Sequence, residues 1–151
     1  MIFVTVGTTL PFDALVAAVD RLVGSLVIRE SVVCQIGHGT YFPHNCEYFC
    51  FKPNVDQWVE DASLVIGHGG TGTVYSALCA GKPLIAVANP AAADDHQAQF
   101  LARLSHIASF LWTKDLEQIP ALLEKVPSFK LQSAKVRHLA ADVRMFLLGN
   151  R

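Results

Sequence analysis

Residues 63–83 read SLVIGHGGTGTVYSALCAGKP, an apolar run that breaks into four glycines within six positions and then resumes at helical spacing. Such a run predicts a strand over Leu64–Ile66, a glycine loop, and a helix from about Thr73 to Ala80, closed by Gly81 with Pro83 just beyond. The same alternation continues in both directions. Upstream, Ile2–Val6 reads as a strand and Gly7-Thr8-Thr9 as a turn. Pro11 opens a helix whose apolar stripe is Phe12, Leu15, Val16, Val19 and Val23. Val32–Ile36 and Glu47–Phe51 are two further strands, and Asn54 caps a short helix over Val55–Asp61.

Downstream, Leu84–Val87 is a strand, His96–Leu104 a helix and Ile107–Leu111 a last strand. A helix over Leu116–Lys125 begins or kinks at Pro120. Residues 131–148 place Val136, Leu139, Ala140, Val143, Phe146 and Leu147 at helical spacing. Short strands alternating with helices predict an α/β fold with a parallel sheet. With no repeat, low-complexity tract or linker, residues 1–151 are expected to form one domain.

The composition narrows the function. The chain is 52% hydrophobic and 17% charged, and 12 basic against 13 acidic residues leave a net charge of -1. That balance gives no electrostatic basis for nucleic-acid binding. No run approaches the roughly 18 apolar residues of a membrane span, and MIFVTVGTT lacks the basic flank of a signal peptide. Cys34, Cys46, Cys50 and Cys79 lack paired zinc spacing and read as reduced thiols of a cytosolic protein.

The glycine loop itself admits three readings. Gly67, Gly69 and Gly72 fit the GxGxxG spacing of a dinucleotide site. That fingerprint also needs an acidic residue near the end of the next strand, yet Leu84-Ile85-Ala86-Val87-Ala88-Asn89 has none. A Walker-type GxxxxGK[ST] is absent as well. The second reading is a nucleotide-sugar diphosphate. Glycines admit close approach, and N–H groups at a helix start stabilise an anion by up to about 2 kcal/mol, with Thr71 and Thr73 adding hydroxyls. The third is a tight turn that only packs helix on strand.

A resemblance is carried by several stretches in order: MIFVTVGTT, PFDALV, VCQIGHGTYFP, ASLVIGHGGTGTVYSALCAGKPLIAVAN and DDHQAQFLARL. Together they resemble the short glycosyltransferases of the two-subunit type, with a domain like the family 28 C-terminal domain. These include the catalytic subunit that adds the second GlcNAc to dolichol diphosphate-GlcNAc and bacterial exopolysaccharide transferase subunits. The match runs from Met1 to about Leu104. It implies half of a GT-B fold, a Rossmann-like parallel sheet with helices on both faces that binds only the donor. A membrane-anchored Rossmann-like partner would supply the acceptor half and recruit this cytoplasmic chain to the membrane face. The implied substrates are a UDP-sugar donor and a lipid-linked saccharide acceptor.

By position, the resemblance implies that Gly7 and Thr8 contact the diphosphate and that the main chain at Phe51 and Lys52 reads the uracil. Gly69, Gly70, Thr71, Gly72 and Thr73 would form the second phosphate loop, and Asp95 and Gln97 would bind donor-sugar hydroxyls. One position departs: the family's ribose-binding glutamate is Ser76 here, so ribose binding is expected to be weaker, water-mediated or supplied by Tyr75 or the partner. The implied chemistry is inverting transfer. No cofactor is expected, nor a metal, since Asp94-Asp95 lacks DxD spacing. The base is either His68 or His96, which flank the loops, or a group of the partner; the other reading of these loop histidines is that they only hydrogen-bond backbone or phosphate. The helix at 131–148 either packs on its own domain or docks the partner through Val143, Phe146 and Leu147. A binding module without catalysis and, more remotely, an NAD-dependent oxidoreductase are the rival readings.

Overall fold

The computed structural model describes residues 1–128 and 136–149. Six parallel strands form one sheet: β1 (Ile2–Thr5), β2 (Val32–Gln35), β3 (Glu47–Phe49), β4 (Leu64–His68), β5 (Leu84–Val87) and β6 (Leu111–Thr113). Their order across the sheet is β3-β2-β1-β4-β5-β6. The helices are α1 (Asp13–Gly24), α2 (Asp56–Asp61), α3 (Thr71–Cys79), α4 (His96–Leu104), α5 (Ile119–Lys125) and α6 (Val136–Gly149).

The near-continuous apolar strands follow from burial on both faces. Successive side chains point to opposite sides, so Ile2, Val4, Ile66, Ile85 and Val87 pack with Leu15, Val16 and Val19 of α1 and Ile119 of α5. Phe3, Val65, Leu84 and Ala86 pack on the other face with Val74, Ala77 and Leu78 of α3 and Leu101 and Leu104 of α4. No helix among the described residues is long and apolar enough to cross a membrane. All four cysteines are free thiols.

Several boundaries differ from expectation. β4 continues through Gly67 and His68, which pair with Ala86 and Val87 of β5, and α3 begins at Thr71. The glycine-rich connection therefore shrinks to Gly69 and Gly70, with Gly67 in the strand and Gly72 in the helix's first turn. The last strand lies at Leu111–Thr113 instead of Ile107–Leu111. The end of α4 unwinds through further turns, with the amides of Ile107 and Ala108 both bonding the Leu104 carbonyl, and this consumes the residues expected to extend. β3 stops at Phe49, which leaves Phe51 in the following loop.

Other local signals hold. Pro120 sits in the first turn of α5, after a 3₁₀ turn over Leu116–Gln118. Gly81 has φ +66 after α3, and the amides of Gly81 and Lys82 return to the carbonyls of Leu78 and Ala77, the pairing of a Schellman cap. The expected helix at 131–148 is seen as Val136–Gly149, and residues 131–135 lie outside the described residues.

Candidate functional site

Strand order reverses between β1 and β4, and in such sheets a crevice opens beyond the carboxyl ends of the two strands. Thr5 is in register with Gln35 of β2 and Gly67 of β4, so β1 and β2 end at the same level and β4 one residue further on. A cleft of about 670 Å³ lies there, within the range of small-molecule sites. Its walls include Gly7, Thr8 and Thr9 after β1, Lys52 to Asp56 before and at the start of α2, and Gly70 to Thr73 with Ser76 on α3.

Polar strand ends form the floor. The Thr5 hydroxyl donates to Gln35 Oε1 at 2.6 Å and accepts from the Gly7 amide at 3.3 Å. Gly7 then turns with φ +74, a conformation costly for a residue bearing a Cβ. At the opposite wall, α3 starts at Thr71, and its first intrahelical bond runs from the Val74 amide to the Gly70 carbonyl. The amides of Thr71, Gly72 and Thr73 lie ahead of that bond, in the first turn where N–H groups lack intrahelical acceptors. The helix end thus presents donors and a partial positive charge to the cleft.

His68 is locked between these walls. Its Nδ1 accepts from the Gly70 amide at 3.2 Å and faces the Gln97 amide nitrogen at 3.4 Å, while Nε2 lies 2.9 Å from the Thr73 hydroxyl. This network assigns a neutral ring protonated at Nε2. Burial pushes its pKa down to about 4. In this geometry the ring's one lone pair is taken by the Gly70 amide. Gly7 and Gly70 give it room, since a Cβ on Gly7 would sit 2.5 Å from Nε2 and one on Gly70 would collide with the ring edge.

Gln97 has a similar structural duty. Its Oε1 accepts from the amides of Gly69, at 3.1 Å, and Asn89, at 2.8 Å, tying α4 to the ends of β4 and β5. Only its amide nitrogen remains for a ligand. Asp95 is exposed, takes φ +58 in the turn before α4, and does not line the cleft. His96 borders a second cavity with Gln97, Phe100, Arg103 and Phe146, and its Nε2 is 3.8 Å from the Asp94 carboxylate.

Of the expected residues, the cleft gathers Gly7, Thr8, Lys52, Gly70, Thr71, Gly72, Thr73, Ser76, Gln97 and His68. Gly69 faces the second cavity. Phe51 packs its ring edge-on to His38 at 4.7 Å and is not part of the cleft wall, and Tyr75 lines a third cavity between α2 and α3. Tyr75 thus lies outside the cleft wall, in a cavity that also touches Ser76. The Lys52 amine lies 4.4 Å from the centre of the Trp58 ring and 5.1 Å from that of Phe49, a cation–π seat at the rim. Thr5, Gln35, Asn54 and Asp56 were not anticipated. A polar residue ending an apolar strand was the available signal for the first two. Among the described residues no group of three or more His, Cys, Asp or Glu side chains is placed to hold a metal.

The glycosyltransferase family 28 C-terminal domain model matches residues 1–140. Human UDP-N-acetylglucosamine transferase subunit ALG13 is 35% identical over 115 residues, or 68% of this chain and 10% of that protein. The chain thus spans about a tenth of that relative's length. The solution structure of ALG13 superposes with a TM-score of 0.60 at 22% identity, covering 86% of each chain. The crystal structure of Streptomyces sp. SF2575 glycosyltransferase SsfS6, complexed with thymidine diphosphate, gives a TM-score of 0.62 at 19% identity, covering 95% of this chain and 37% of the other. The fold is accordingly one Rossmann-like half of a GT-B glycosyltransferase.

Proposed function

The chain belongs to the glycosyltransferase family 28 C-terminal domain family, and from that premise we propose that it is the donor-binding, catalytic subunit of a hexosyltransferase. In this reading the enzyme is inverting and metal-independent and moves a sugar from a UDP-sugar to a lipid-linked saccharide in glycan or polysaccharide synthesis. The observation that carries the reading is the convergence of the Gly7–Thr9 turn and the α3 N-terminus on one cleft at the strand switch point. The names of two relatives support it, one a UDP-N-acetylglucosamine transferase subunit and the other complexed with thymidine diphosphate.

The diphosphate would lie between Thr8 and the amides of Thr71, Gly72 and Thr73. An acceptor hydroxyl attacks the anomeric carbon in line, a C–O bond forms, and the bond from that carbon to the β-phosphate oxygen breaks with its electron pair leaving on UDP. Preorganised amides stabilise that developing charge without rearrangement. The hydroxyl proton needs an acceptor other than His68, whose lone pair is engaged. His96 beside Asp94, or a group of the partner subunit, remains for that role.

The partner in this reading is a membrane-anchored Rossmann-like subunit that closes the cleft and holds the chain at the cytoplasmic membrane face. Phe146 packs 6.2 Å from Phe100 on its own domain, whereas Met145 and Leu148 of α6 are exposed and free to meet a partner. Of the other expected docking residues, the side chains of Val143 and Leu147 lie outside the described ones. Labelled UDP-sugars should be offered, with a lipid-linked acceptor extract, to the chain alone and to the chain co-expressed with such a subunit. Transfer only by the pair is expected. No transfer by either, with UDP still bound, would reduce the chain to a nucleotide-sugar-binding module.

A further inference from the structure

A ribose offers a vicinal diol, two O–H donors side by side, and the side chain that best accepts both is an ionised carboxylate. On the cleft wall α3 provides hydroxyls, those of Thr71, Thr73 and, one turn on, Ser76, but no carboxylate. Among the described residues the ionisable side chains lining the cleft are Lys52, Asp56 and His68, so Asp56 is the one carboxylate on that wall. Asp56, Val59 and Ser76 also line the adjoining cavity between α2 and α3, which sets Asp56 and Ser76 along one seam.

We propose that Asp56 is the residue that recognises the ribose diol of the bound nucleotide, taking from α2 the position that α3 leaves to a serine; this rests on the nucleotide-diphosphate reading of the cleft. The backbone at Asp56 is fixed, because its amide donates to Asn54 Oδ1 at 2.7 Å. Its side chain is exposed and makes no hydrogen bond or ion pair to the described residues. With phosphates at the first turn of α3, the ribose falls next along the cleft, against Ser76 and Asp56. A carboxylate beside a diphosphate is repulsive unless donors offset it. A diol supplies those donors, whereas a ligand lacking it leaves only the repulsion.

That difference in sign is the test. The full chain is titrated calorimetrically with UDP and with 2′,3′-dideoxyuridine diphosphate. Wild type is expected to prefer UDP by roughly tenfold or more. D56N should bring that ratio to within about twofold by weakening UDP while leaving the dideoxy ligand unchanged or tighter. D56N/S76E should restore the preference, and E60Q, one turn further and bordering only the adjoining cavity, should keep the wild-type ratio. Because Asp56 is exposed, D56N is expected to melt with wild type, and Asp56→Ser gives the same readout in a second background. A D56N ratio equal to wild type overturns the assignment. So does a wild type that binds both ligands alike, although the nucleotide reading then stands. A wild type that binds neither removes the nucleotide reading and the assignment with it.

Discussion

Gly7 and Gly72 both face the cleft, yet a methyl group added at each meets opposite surroundings. At Gly7 it enters at φ +74 and 2.5 Å from His68 Nε2, so Gly7→Ala should cost about 1–3 kcal/mol in urea unfolding. At Gly72 nothing lies within 4 Å and the backbone is helical, so Gly72→Ala should fold as well as wild type or gain up to about 1 kcal/mol. The same methyl projects where the ligand's phosphate would sit, so UDP affinity should fall while stability does not. His68 makes a second prediction. The unfolded imidazole takes up a proton near pH 6.5, but the folded ring resists it until about pH 4. The unfolded state therefore binds more protons between these values, and stability falls as pH drops through them, by at most about 1.4 kcal/mol per unit. Urea midpoints at pH 7 and 5 should show that loss, and His68→Gln should flatten it. The residue types at this site were legible; the locking of His68 was not, because Gly7 and Gln97 reach it from distant parts of the chain.

Among the elements, α1 does more than its apolar stripe suggests. Asp20 is buried, and its carboxylate accepts from the Tyr41 hydroxyl at 2.7 Å and the amides of His44, at 3.0 Å, and Asn45, at 2.7 Å. Burial alone would raise its pKa, but these donors outweigh it and hold the carboxyl below its usual range. Asp13, nearer the start of α1, similarly bonds the amide and hydroxyl of Thr40. Two carboxylates thus pin the polar loop between β2 and β3. Asp20→Ala would strand three donors and should cost about 3 kcal/mol in equilibrium unfolding, with amide exchange rising first in residues 41–45. A lone Asp inside an apolar helical face was the signal in the sequence. The misplaced β6 had no such signal, because Ile107–Leu111 is apolar enough to extend and only pairing with β5 decides that Leu111 starts the strand.

For the whole molecule, a ligand that binds only the folded state stabilises it by mass action. UDP at about 100 times its dissociation constant should add about 2.7 kcal/mol and raise the melting temperature by roughly 5–10 °C. NAD should leave it unchanged, and a comparable rise with NAD would revive the oxidoreductase reading. At the other end of the chain, M145D/L148D changes two exposed side chains, so its melting temperature should match wild type within about 2 °C. Co-purification with the membrane-anchored subunit proposed above should nevertheless be lost. Retained co-purification would place the interface elsewhere.

The sequence by itself determined the alternation of strands and helices, the parallel sheet and the two glycine turns, because period, β-branched runs, Gly81 and Pro120 are local properties of the chain. It also carried the ordered stretches that reveal the family. Only the tertiary structure decided which of those residues share a wall. It brought Thr5, Gln35 and Asp56 to the cleft, turned Tyr75 and Phe51 away from it, and spent the His68 lone pair and the Gln97 oxygen on backbone amides. The reason is physical: the cleft walls are assembled from segments far apart in sequence, and no periodicity encodes which donor, near as Gly70 is to His68 or distant as Gly69 is from Gln97, an acceptor has already claimed.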